Sequence, residues 1–289
     1  MKGLTQPPDP RPKTPRLQAP PGAVDSHIHL FGPEADWPFH PDTQYRAAEA
    51  SPELAMAQNA VLGLSHSVVV SPGGYGRDYR YLEGVLTRHP DYFRGIIVPP
   101  DDFALGEARR LDALGVRGVR FLAGARGKHL APILPDVAKT VHEVGWHVQF
   151  YGHAGDIVEA GPQLLALPNT IVLDHFGAVD STLGVDQPAF RAVLRMLDTG
   201  RVWVKLSGPM RCGHTGPPYA EMIPFARALA AHAPERLVWG SDWPHVNMDG
   251  RVMPNDGALL DLLLDWVPDA QTRNRILVDN PRALYGFLP

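Results

Sequence analysis

Eight short runs rich in valine, isoleucine and leucine recur along the chain, at 23–31, 66–71, 93–99, 116–123, 146–152, 170–177, 201–208 and 236–244. Each is followed by a polar or glycine-rich turn and then a longer stretch with helical spacing. Runs that are continuously apolar, not alternating, belong to strands buried on both faces, as in a parallel sheet covered by helices. Helical stretches include 51–64, 104–115, 134–145, 189–200 and 219–234; Ser51 suits the start of the first, and Gly115 stops the second. With no break in composition into halves, the alternation predicts an α/β fold: one (β/α)8 TIM barrel over residues 22–289 in preference to an open doubly wound sheet. A nucleotide-binding sheet also lacks its phosphate fingerprint, since "GGYG" at 73–76 does not have G-x-G-x-x-G spacing.

Ahead of the barrel, "QPPDPRPKTPRLQAPPG" is too rich in proline for a helix or an inner strand, because each proline lacks an amide donor and restricts its predecessor. Residues 1–21 are expected to form an extended arm, with a proline-rich ligand for a partner domain as the alternative. The 27 basic and 31 acidic side chains leave a net charge of −4, so no basic field draws nucleic acid or a membrane surface. A single cysteine, Cys212, excludes an internal disulfide and a thiolate metal cluster. No run reaches the roughly eighteen apolar residues of a membrane span, and no apolar signal segment opens the chain; a cytoplasmic protein is expected.

In barrel enzymes chemistry gathers at the C-terminal ends of the strands. "VDSHIHLFGP" at 24–33 ends its apolar run in His27 and His29, which share one face because residues two apart on a strand point the same way. Arg120 lies in the fourth run, Tyr151 and His153 end the fifth, and His175 ends the sixth. Lys205 and Ser207 close the seventh with Arg211 just beyond, and Asp242 and His245 follow the eighth. Each has an ordinary structural explanation alone: Asp174 and His175 as a core pair, Arg120 as a buried ion pair, Asp242 as a turn residue before Trp-Pro. Their joint placement after apolar runs points instead to a site. His27, His29, His175 and Asp242 suit one divalent ion of the zinc type. They suit metal-free hydrolysis equally, with Asp242 taking a proton from water while imidazoles donate to the developing oxyanion. His245 is expected to orient Asp242 or the substrate.

"VDSHIHLFGP", "VLDHFG" and "WGSDWPH" together resemble the amidohydrolase superfamily, in the branch that contains 2-pyrone-4,6-dicarboxylate lactonase and sugar-acid lactonases, from about residue 22 to "NPRALYGF". The resemblance implies a distorted barrel that opens a small, anionic, carboxylated lactone by Asp-activated water attack, with no obligatory cofactor. A zinc-dependent hydrolase or decarboxylase and a lactone isomerase are the alternatives. The family's metal positions fall on His27, His29, His175 and Asp242, and no lysine stands where a second metal would be bridged. Anion-gripping roles fall on Arg120, Arg126, Tyr151 and Arg211, because a planar guanidinium forks onto a carboxylate. Three departures stand out. Ala178 replaces an arginine, the segment around Gly73 replaces a serine with Tyr75 as a substitute hydroxyl, and "FYGHAGD" introduces His153. The loss of one grip disfavours the pyrone dicarboxylate itself.

Overall fold

The computed structural model describes residues 4–123, 132–153, 155–248 and 250–288. All eight apolar runs carry strands: β1 Val24–Ile28, β2 His66–Val70, β3 Phe93–Ile97, β4 Val116–Leu122, β5 His147–Tyr151, β6 Ile171–Leu173, β7 Val202–Ser207 and β8 Leu237–Gly240. They pair in chain order, all in parallel, as one eight-stranded sheet. Helices alternate with them: α1 Pro52–Leu62, α2 Arg80–Arg88, α3 Leu105–Leu114, α4 Leu134–His142, α5 Asp156–Leu165, α6 Pro188–Leu197, the short α7 Pro209–Cys212, α8 Ile223–His232 and α9 Asp256–Trp266. This is the expected TIM barrel. Ser51 caps α1 by accepting the Leu54 amide, while Gly63 and Gly115 end α1 and α3 in the left-handed conformation.

The seam between β8 and β1 is irregular. It closes just past β8, where the Asp242 amide donates to the His27 carbonyl at 2.9 Å and the His29 amide to the Trp243 carbonyl at 2.7 Å. Below, one Asp25 oxygen accepts the Ser241 amide at 3.0 Å and the His27 amide at 3.1 Å. Gly240 permits this approach, because a Cβ there would stand 2.7 Å from the His27 Cβ. The segments that seal the barrel are therefore those that carry His27, His29 and Asp242.

Strand periodicity layers the interior. Trp203, Lys205 and Ser207 follow one another at intervals of two along β7, as do His147, Gln149 and Tyr151 along β5. Val24, Val68, Val172, Trp203 and Val238 form an apolar cluster with Tyr285 and Phe287 from the chain's end. The polar layer above it holds Lys205, Gln149 and Asp174, and the imidazoles lie above that. Outside the strands, a second and larger core packs the helices.

Residues 4–20 form no helix; Leu4 and Thr5 pair with Arg46, and the stretch from Lys13 to Leu17 lies against α9 and its cap, the Lys13 amide donating to Asn255 and the Leu17 amide and the Arg16 guanidinium reaching Asp261. Among the described residues, no helix is long and apolar enough to cross a membrane.

Candidate active site

Asp242 stands two residues past β8 with φ at 69°, and His175 two residues past β6 with φ at 47°. Left-handed backbone is uncommon for residues with a Cβ, and such conformations concentrate at functional sites. Here they turn both side chains inward. Asp242 Oδ1 lies 3.8 Å from His27 Nε2, 3.7 Å from His29 Nε2 and 3.8 Å from His175 Nε2. The four groups predicted from the strand ends thus surround one point.

Partners fix the rings from behind. His29 Nδ1 lies 2.8 Å from the Val70 carbonyl. A carbonyl can only accept, so the hydrogen of neutral His29 sits on Nδ1 and Nε2 presents a bare lone pair to the centre. His175 Nδ1 meets the Ser207 hydroxyl at 2.9 Å. Burial drives the His29 imidazole down to about 4, and the same desolvation holds His27 and His175 below the ordinary histidine range. All three rings are neutral at physiological pH. Burial works to raise Asp242, but the charge of the neighbouring Arg211 guanidinium, which donates to its Oδ2, leads the opposing effects, and the carboxyl lies below its usual range.

A cavity of about 420 Å³ opens over this point, and His29, Arg120, Tyr151, His153, His175, Arg211 and Asp242 reach it. Arg211 Nε donates to Asp242 Oδ2 at 2.8 Å, and Arg120 Nε to the buried Asp174 Oδ2 at 2.9 Å. In both, the terminal nitrogens have no hydrogen-bond partner among the described residues, and both guanidinium groups line the cavity. The Arg120 guanidinium also lies 5.1 Å over the Tyr151 ring. Arg120 is therefore both a partner in a buried ion pair and part of the cavity wall.

Several expectations need correction. Tyr75 does not face the cavity: its hydroxyl is buried and accepts the Gly32 amide at 3.0 Å, amid Phe31, Phe39 and Tyr81. Gly73 and Tyr45 occupy that part of the wall instead. His245 turns away, its Nε2 2.9 Å from the buried Asp256 carboxylate, so it braces the loop after β8 through α9 and touches neither the Asp242 carboxylate nor the cavity. Lys205 is not at the mouth but fully buried within the barrel. Ala178 is not part of the cavity wall, and Arg126 lies outside the described residues.

Sequence reasoning missed Asn247 and Arg251, which line the cavity from the loop after β8; loop positions carry no periodic signal. It also missed Gln149, whose amide donates to Asp174 at 3.0 Å. A polar residue in step with Tyr151 inside an apolar strand was a usable sign.

Residues 24–287 match the amidohydrolase family. The chain is 36% identical over 285 residues to a 2-pyrone-4,6-dicarboxylate hydrolase of Comamonas testosteroni, covering 95% of this chain and 93% of the relative. It is 36% identical to a 4-sulfomuconolactone hydrolase of Rhizobium radiobacter, with 93% and 91% covered. Identity to a D-galactarolactone isomerase of Agrobacterium fabrum is 28%, with 97% and 94% covered. The crystal structure of a putative 2-pyrone-4,6-dicarboxylic acid hydrolase from Pseudomonas putida superposes with a TM-score of 0.78 at 34% identity, covering 93% of this chain and 98% of that one. Fold, ordered motifs and match over nearly the whole length agree, and the chain belongs to the amidohydrolase family.

Proposed function

We propose that the protein hydrolyses the ring ester of a small anionic lactone. One observation carries this reading: three neutral imidazoles converge on an ionised carboxylate in a cavity walled by two half-free guanidinium groups. The relatives named as hydrolases of a pyrone dicarboxylate and a sulfonated lactone support it.

The substrate's anionic groups fork onto Arg120 and Arg211, with Tyr151 and His153 as further polar contacts, and the acyl carbonyl faces the imidazoles. Water lies between Asp242 Oδ1 and the bare His29 Nε2, and Asp242 accepts its proton as the oxygen bonds to the acyl carbon. Imidazole hydrogen directed at the carbonyl oxygen stabilises the tetrahedral intermediate. On collapse the acyl C–O bond of the ring breaks, and the ring oxygen leaves with the proton held by Asp242, giving a hydroxy acid. Asp242 starts as a weak base because Arg211 stabilises its charge. An anion on the free face of Arg211 offsets that positive charge, so the base strengthens when substrate is bound.

The donor set also fits one divalent ion. Candidate ligand atoms of His27, His175 and Asp242 lie within 4.8 Å of one another, and imidazole nitrogen with carboxylate oxygen is a donor set that zinc takes. His27, His29, His175 and Asp242 would hold it, and when bound it would supply Lewis-acid polarisation of the carbonyl.

The test is proton release near neutral pH on a panel of lactones: pyrone dicarboxylates, sulfonated muconolactones and sugar-acid lactones, with and without a chelator. Ring opening of at least one anionic member is expected. Tight binding of a dicarboxylate with no ring opening across the panel would overturn hydrolysis. A shifted ring with no acid released would favour lactone isomerisation, as in the galactarolactone relative.

A further inference from the structure

Lys205 is one of the largest fully buried side chains in the protein and has no part in the reaction described above. An ammonium taken out of water is costly unless its donors are matched. Nζ donates to Gln149 Oε1 at 2.8 Å and to the Ser26 carbonyl at 3.0 Å, and its remaining hydrogen faces His27 Nδ1 at 3.4 Å. The Asp174 Oδ1 atom is nearby, 3.6 Å from Nζ and 3.2 Å from His27 Nδ1. Among the described residues that oxygen nonetheless has no hydrogen-bond partner, so the His27–Asp174 approach lacks hydrogen-bond alignment.

An ammonium has three donors and no acceptor. Where it addresses Nδ1, that nitrogen offers a lone pair and the hydrogen of neutral His27 is on Nε2. His29, held by the Val70 carbonyl, presents a bare Nε2, and it lies 3.4 Å from His27 Nε2. Two bare nitrogens would repel at that distance. A hydrogen on His27 Nε2 resolves the pair.

We propose that Lys205 is a positioning residue: anchored by Ser26 and Gln149, its ammonium donates to His27 Nδ1 and keeps the His27 hydrogen on Nε2, aimed at the reaction centre. This deepens the lactonase reading, in which that hydrogen is the one given to the acyl oxygen; the placement of the hydrogen itself does not depend on which substrate is used. Asp174 is the competing partner. Without Lys205 it would draw the hydrogen to Nδ1 and leave Nε2 bare, the form a metal ion takes.

The decisive measurement is a long-range proton–nitrogen correlation spectrum of the full-length, chelator-treated protein with 15N-histidine, with His27 assigned by comparison with His27→Gln. The Nε2–H form is expected, and the Nδ1–H form in the wild-type protein would overturn the proposal without need of a variant. In Lys205→Met the hydrogen is expected to move to Nδ1. kcat should then fall about tenfold with KM little changed, and zinc alone should bind about tenfold more tightly. An unchanged tautomer in a folded Lys205→Met protein would also overturn it. An Nε2–H signal in a protein that opens no lactone would sink the lactonase reading and leave the role of Lys205 standing.

Discussion

Arg211 and Asp242 share one hydrogen bond, from Nε to Oδ2 at 2.8 Å, and both residues line the cavity. The pair is buried, with side-chain exposures of 13% and 2%, so it responds to whatever charge enters beside it.

Asp242→Asn removes the proton acceptor at nearly constant shape. kcat is expected to fall by about 10²–10⁴, with KM for the same lactone changed far less, since the substrate's anions rest on arginines. Steady-state kinetics beside a thermal melt check this, and turnover like the wild type would remove Asp242 from the mechanism.

Arg211→Met bears on pH. The carboxylate must be ionised, so rate falls as pH falls through its pKa, and the guanidinium holds that pKa below the ordinary range. Taking the positive charge away raises it and moves the acid limb of kcat/KM to higher pH, while KM for a dianionic lactone rises at least about tenfold through the lost fork. An acid limb in the same place would show that Asp242 does not report on Arg211.

The strands and most of the site were legible because both obey strict periods. Continuous apolar runs mark strands buried on two faces, and the residue just past each run is set at the barrel rim by chain geometry alone. Two helices were less visible: α5 carries Pro162 inside it, which reads as a breaker, and Gly84 lies within α2. Tyr75 and His245 were misplaced for a different reason. Both lie beyond strand ends on irregular backbone, where spacing no longer dictates direction, so Tyr75 folds under Gly32 and His245 turns to Asp256. Lys205 was legible as a polar residue in β7 but not as a buried one, because depth along a strand follows from the register of its neighbours.

Tyr75→Phe and Tyr151→Phe separate those two kinds of residue. The first leaves the Gly32 amide without its acceptor in a buried place, which costs about 1–3 kcal/mol in a denaturant titration while kcat and KM stay as in the wild type. The second removes a cavity hydroxyl and is expected to raise KM with little loss of stability. If Tyr75→Phe raised KM severalfold, its hydroxyl would have to reach substrate.

Arg120→Met should do both. Asp174 would lose its 2.9 Å donor, and breaking a buried ion pair from one side costs about 3–5 kcal/mol. KM for an anionic lactone should rise together with the loss of stability. Arg120→Lys keeps the charge but not the fork, so it is expected to recover more stability than affinity.

Asp25→Asn addresses the barrel seam. Burial pushes the Asp25 carboxyl up to about 7, although one oxygen accepts the amides of His27 and Ser241. In the unfolded chain the same group ionises near 3.8, so between these values the folded state binds the extra proton and stability falls as pH rises. Above about 7 the penalty is complete, with a ceiling of about 4 kcal/mol. Asparagine retains the accepting oxygen and cannot ionise. Its melting temperature should therefore match the wild type near pH 4 and exceed it increasingly up to pH 7, with a constant gap beyond. A gap that is independent of pH, or one that closes as pH rises, would show that Asp25 is ionised throughout and bound to Lys205 as a charge pair.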